Sequence, residues 1–151
     1  MKKIILFTVS ILLFGLIVLT AACSSGSQPT AANPIQGKVI KSAPIGNNLT
    51  VTLSNETGKL KSGEQEIMLA FTDVSGKAVD VGMVNAAALN FQMPSMGSMA
   101  AMNNAANFTT TSVPGVYKGK VKIEMPGEWQ AQISYEGANG NGKTTIPVTA
   151  Y

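Results

Sequence analysis

Apolar residues recur at every second position through most of the chain beyond residue 48. In WQAQISYEG, Trp129, Ala131, Ile133 and Tyr135 share one parity, and Gln130, Gln132 and Ser134 the other. Leu49, Val51 and Leu53 alternate in the same way with Thr50, Thr52 and Ser54, and Ile67, Leu69 and Phe71 with Met68 and Ala70. In the stretch 116–125, Lys118, Lys120 and Lys122 alternate with Tyr117, Gly119, Val121 and Ile123. Successive strand side chains point to opposite faces, so this pattern builds half-buried strands and offers no apolar stripe for a helix. Turn-forming clusters separate the runs: NETGKLKSGE (55–64), SGK (75–77), PG (114–115), PGE (126–128) and ANGNGK (138–143). MVNAAALNFQM (83–93), NFTTTSV (107–113) and TTIPVTA (144–150) read as further strands. About seven short strands at this spacing predict an all-β, immunoglobulin-like antiparallel sandwich over residues 36–151. A domain of that length buries one core without disulfide staples.

Composition excludes several kinds of chemistry. The chain has no histidine and a single cysteine, Cys23. A Ser-His-Asp triad, a Cys-His pair, a His-ligated zinc and an internal disulfide are therefore all ruled out. The carboxylates Asp73, Asp80, Glu64, Glu66, Glu124, Glu128 and Glu136 are scattered, and no two are spaced as an acid/base pair. A non-enzymatic protein is expected. The charge of +3 includes Lys2 and Lys3. From Cys23 onward nine lysines stand against eight acids, a net +1. With no arginine and no basic stripe interleaved with aromatics, no nucleic-acid partner is expected. NLT, NET and NFT match the glycosylation sequon but read as ordinary strand and turn residues.

Residues 1–22 read as an export signal. Lys2 and Lys3 precede an uncharged apolar run, Ile4–Leu19, which is short for a bilayer span. The run ends in TAAC, with small residues before Cys23. This arrangement resembles a bacterial lipoprotein signal, in which the cysteine thiol is acylated and becomes the mature N-terminus. Thr20 stands where such signals usually carry Leu, Val or Ile. Residues 23–35, with SSGSQPTAANP, read as the tether of a lipid-anchored domain. An ordinary cleaved signal and an uncleaved anchor are the alternatives. Each of the three places the domain outside the cytoplasm, at the cell membrane or outer membrane if it is lipid-anchored.

NFQMPSMGSMAAMNN (90–104) carries Met93, Met96, Met99 and Met102 at a spacing of three. Thioether sulfur is a soft neutral donor suited to Cu(I), and it loses no proton on binding. On an extended polyproline-type segment entered at Pro94, this spacing stacks the four side chains on one side. Met93 and Met96 would converge about a Pro94-Ser95 turn, with Met99 as third ligand to Cu(I) and Met102 auxiliary. The competing reading is packing, since methionine is a flexible gap-filler. Trp129 reads as a core residue set by the Pro126-Gly127 turn, with Tyr117 and Phe91 also in the core.

Four segments in order carry a resemblance to the YtkA-like family, related to the periplasmic part of FixH proteins. They are DVSGKAV (73–79), FQMPSMGSM (91–99), PGVYKGKVKIEMPGEW (114–129) and the strand that follows. The motif positions are Phe91, Met93, Pro94, Met96, Gly97, Tyr117, Met125, Pro126, Gly127 and Trp129. The resemblance implies a small extracytoplasmic β-sandwich, often anchored to a membrane. Its relatives accompany cytochrome oxidase assembly and heavy-metal efflux, which implies copper and partners of those systems. Two functions stay open: copper handling through the methionine-rich loop, and an envelope module without metal that docks on a membrane complex.

Overall fold

In the computed structural model, residues 33–82, 87–138 and 140–151 are described. The expected leader, Cys23, nearly all of the tether, the first four residues of the strand expected from Met83 and Asn139 lie outside them. Among the described residues nine strands run in order: β1 Lys38–Pro44, β2 Thr50–Asn55, β3 Gly63–Thr72, β4 Ala87–Met93, β5 Met102–Ala105, β6 Asn107–Thr110, β7 Val116–Ile123, β8 Gly127–Gly137 and β9 Gly140–Ala150. They form two antiparallel sheets packed as a sandwich, ordered β1-β2-β3-β7-β6 and β5-β4-β8-β9. Among the described residues no helix is long and apolar enough to cross a membrane.

The two strands beyond the expected seven have local causes. Lys38–Pro44 pairs with β2 through a register shift between Val39 and Lys41, a bulge that hides the alternation from the sequence. Met102–Ala105 is too short and too polar to read as a strand on its own. The loop expected over ANGNGK is shorter than that: Gly137 pairs with Gly140, where β9 begins, so residues 140–143 are strand. Gly142 is required in that strand, because a Cβ there would meet the Ile45 carbonyl oxygen at 1.9 Å.

The alternating residues meet between the sheets. Val51, Leu53, Ile67, Leu69 and Phe71 of one sheet face Leu89, Phe91, Trp129, Ala131, Ile133, Ile146 and Val148 of the other, all buried. Phe71 lies edge-on to Tyr117 and Tyr135, with ring centroids 5.8 and 5.6 Å apart. At Ala106, whose N–H donates to Leu89 O at 2.9 Å, the chain leaves the four-stranded sheet and continues as β6 in the other. Phe108 of β6 then covers Gly119, where a Cβ would stand 2.7 Å from its ring. A small residue at an inward position of β7 is thus matched by an aromatic from the strand that changes sheets.

Register also defines the ends of the sandwich. Lys38 pairs with Asn55, and Gly63 with Ile123, at one end of the five-stranded sheet. Gly127 pairs with Ala150 at one end of the other sheet. A Leu60–Ala150 bridge, and the Ser62 N–H donating to Tyr151 O at 2.9 Å, join these two ends. The described chain enters at this same end, through Asn33–Gly37, and Ser54 Oγ donates to Gln36 O at 2.7 Å beside it. We call this end the entry pole.

Candidate functional site

The four spaced methionines lie on the β4–β5 hairpin, at the entry pole. Met93 pairs with Met102, and Met96 with Met99, in one continuous register. The Met96 N–H donates to Met99 O at 3.2 Å and the Met99 N–H to Met96 O at 2.9 Å. Gly97 and Ser98 are the two-residue turn. Gly97 has φ +58°, and Ser98 is not among the residues with positive φ. That is the pattern of a type II′ turn, whose twist matches the flanking strands. A Cβ on Gly97 would meet nothing within 4 Å, so the backbone conformation alone calls for glycine.

The expected polyproline-type segment is therefore replaced by a hairpin. Two residues that flank a two-residue turn are three apart in sequence and directly opposite in space. The spacing that would stack side chains on an extended ribbon here produces a cross-strand pair. The turn also falls at Gly97-Ser98 and not at Pro94-Ser95.

A hairpin treats the two pairs differently. Met93 is three residues from Met96, an odd step that moves a side chain to the other face of the pleat. Met93 is 1% exposed, whereas Met96 is 52% and Met99 40% exposed. Met102 is half-buried and packs against the core. The exposed thioethers are thus Met96 and Met99, whose Cα atoms as a hydrogen-bonded pair stand about 5.5 Å apart. Pro94 through Ala101 are all exposed.

Met93 has a packing partner in the other methionine-containing motif. A Cβ on Gly127 would lie 2.9 Å from Met93 Cε, and Gly127 has φ +139°. Both facts favour glycine there. Two residues on, Trp129 is buried, and its Nε1–H donates to the Met125 carbonyl at 3.1 Å. FQMPSMG and MPGEW are therefore one structural unit, with Met93 seated on the Gly127 turn that the indole closes. Pro126 is exposed. Phe91 is fully buried, and Tyr117 is buried with its hydroxyl donating to Gly82 O at 2.6 Å. Burial, and then the charge of Asp80, push the Tyr117 hydroxyl up to about 12.

The segment DVSGKAV is a self-contained turn. Asp73 Oδ1 accepts from Ser75 N at 2.8 Å, Ser75 Oγ at 2.6 Å and Lys77 N at 3.0 Å. These bonds, the Ser75 hydroxyl first, hold its carboxyl below the usual range.

Reading the strands one at a time overlooks that no charged residue occurs between Asp80 and Lys118. That stretch contains the whole hairpin and its connections. The outer face of β4 and its neighbours carries amides instead: Asn90 Nδ2 donates to Asn103 Oδ1 at 3.3 Å and to Gln132 Oε1 at 3.4 Å, and Gln132 Nε2 donates to Gln92 Oε1. A cavity of about 930 Å³ on this side is lined by Ala88, Asn90, Phe108, Gln132 and Thr145, among others, and by none of the hairpin methionines. Among the described residues no group of three or more His, Cys, Asp or Glu is placed to hold a metal ion.

A family model described as YtkA-like matches residues 45–134. No curated protein and no solved structure matches the chain. The matched span runs from the turn before β2 into β8, and it includes the methionine hairpin, the Asp73 turn and the Gly127–Trp129 unit. Covering more than half of the chain, it shows that the protein belongs to the YtkA-like family.

Proposed function

We propose that this protein is a lipid-anchored extracytoplasmic domain that binds Cu(I) on the tip of its methionine hairpin and passes it to, or takes it from, a membrane copper system. The observation that carries the reading is the Met96–Met99 pair: two exposed thioethers, directly opposed across a two-residue turn. Soft neutral sulfur suits Cu(I) and is a poor ligand for Mg(II), Ca(II) or other hard cations. A pair of flexible Met side chains on one turn closes on a metal with little loop ordering, and its exposure leaves coordination sites open to a partner's donors. Met102, the auxiliary ligand expected from the spacing, is Met93's cross-strand partner on the other face of the pleat and packs against the core, so the donors are Met96 and Met99. Met93 serves as packing beneath the site. The protein acts here by binding, with no catalytic step.

The test is a competition titration with Cu(I) under anaerobic reduction, on the domain from Gln36 onward. Leucine keeps much of the methionine volume and removes the donor. Met96→Leu/Met99→Leu should abolish metal capture and leave the melting curve unchanged, while Met93→Leu should retain capture. Equal binding by the wild type and the double variant would end the copper reading. The anchor is tested separately, by intact mass of protein extracted from membranes: the chain should begin at Cys23 and carry acyl chains.

A further inference from the structure

We infer that the entry pole rests on the lipid surface, with the Met96–Met99 hairpin tip entering the headgroup layer; this builds on the acylated Cys23 of the proposed function. Three independent observations meet at that pole. The first is where the exposed apolar side chains lie. Val39, Val74, Met96, Met99 and Tyr151 are the exposed large hydrophobics among the described residues, at 48%, 89%, 52%, 40% and 64%. Register puts four of them at the entry pole. Val39 is one residue into β1, Met96 and Met99 are at the hairpin tip, and Tyr151 is tied to Leu60 and Ser62 by backbone hydrogen bonds. Only Val74, in the turn after β3, is at the opposite pole. The hairpin turn stands about 16 Å beyond Gln92, the last residue of β4 paired with β8, at about 3.3 Å per residue. Tyr151, at the same pole, has the Lys59 ammonium 5.2 Å from its ring centroid, and an amphipathic ring of this kind suits a membrane interface.

The second observation is where the chain enters. Cys23 lies ten residues before Asn33, where the described residues begin at this same pole. Ten residues span at most about 35 Å even when drawn out. The eleven-residue strand β8 alone measures about 36 Å. An anchor at Cys23 therefore reaches the opposite pole only at full extension, and reaches the entry pole with length to spare.

The third is charge. The exposed tip 94–101 has no charged residue, and neither does the chain for more than ten residues on either side. The strand ends and loops of the same pole carry both signs, with Lys38, Lys59 and Lys61 against Glu56, Glu124 and Glu128. By contrast, the outer faces of the two sheets present lysine and glutamate rows, such as Lys118 with Glu66 at 2.9 Å, or amides. The contact is thus apolar and not a basic patch on anionic lipid, so it should form on zwitterionic vesicles and persist in high salt. In that position the exposed thioethers face the membrane, where an embedded metal transporter or oxidase would meet them.

The experiment uses the full-length acylated protein, reconstituted into vesicles of phosphatidylcholine alone. With the Cys23 sulfur acylated, an added cysteine is the sole free thiol. Nitroxides are placed at Ser98→Cys, in the hairpin turn, and at Val74→Cys, at the opposite pole. At position 98, collision with oxygen should exceed collision with an aqueous nickel chelate, and at position 74 the order should reverse, in low and high salt alike. Adding Met96→Asp and Met99→Asp should return the 98 label to water. Equal aqueous exposure at the two positions in protein whose acylation is confirmed by mass overturns the docking and leaves the anchor intact. Protection of position 98 in native membranes but not in pure lipid also overturns it, in favour of a protein partner. A mass without acyl chains overturns the anchor and this inference together.

Discussion

Truncating the hairpin methionines one at a time should separate packing from exposure sharply. Met93 is 1% exposed and lies against Gly127 in the same core as Trp129. Met93→Ala removes a buried side chain at a site whose neighbours cannot easily collapse: Gly127 has no side chain to fill the space, and the Trp129 indole is tethered by its bond to Met125 O. Methionine-to-alanine changes in such cores cost about 2–5 kcal/mol. With an m-value of about 2 kcal/mol/M in urea, the middle of the range for a small domain, the midpoint should fall by about 1–2.5 M with the slope unchanged. Met96→Ala at 52% exposure should change stability by no more than about 0.5 kcal/mol. Met102→Ala, half-buried, should fall between. The assay is urea unfolding of the domain from Gln36, followed by the emission of Trp129, the sole tryptophan. Equal losses for Met93→Ala and Met96→Ala would refute the division of the four residues into one core pair and one exposed pair.

Two further outcomes follow from the same structure. Gly97→Ala forces a side chain into φ +58° with no steric neighbour, so the cost is conformational, about 1–2 kcal/mol, and Gly97→Asn should recover part of it in the same urea assay. Tyr117 is neutral when protonated, and its folded value of about 12 exceeds its ordinary value near 10. The stability it contributes is full below pH 10 and is lost as the pH rises through 12, because the unfolded chain releases the proton first. Thermal melts from pH 9 to 12 should show this loss, and Tyr117→Phe should flatten the slope by up to one proton.

The strand alternation was legible in the sequence because a strand's inward and outward positions are set by parity alone. Trp129, Ala131, Ile133 and Tyr135 are buried as one face, and so are Ile67, Leu69 and Phe71. The sandwich follows from that local pattern. β1 was hidden by its bulge. β5 was hidden by shortness, since the four residues of MNNA bury little by themselves and form a strand only because β4 supplies a hydrogen-bonding edge; β6 was legible in the β-branched run 107–113, of which Asn107–Thr110 pairs with β7.

The candidate site divides along the same line. Sequence alone determined that four thioethers would be close together and that no imidazole or thiolate in the chain beyond Cys23 would compete with them. It could not determine which of them point inward. A spacing of three is compatible with a ribbon, a helix or a hairpin, and only the placing of a two-residue turn at Gly97-Ser98 made Met96 and Met99 partners and sent Met93 to the core. Tertiary structure also decided the poles. The entering chain, the hairpin tip, Val39 and Tyr151 are far apart in sequence, and it is antiparallel register, which returns every second strand end to the same side, that gathers them at one end of the sandwich.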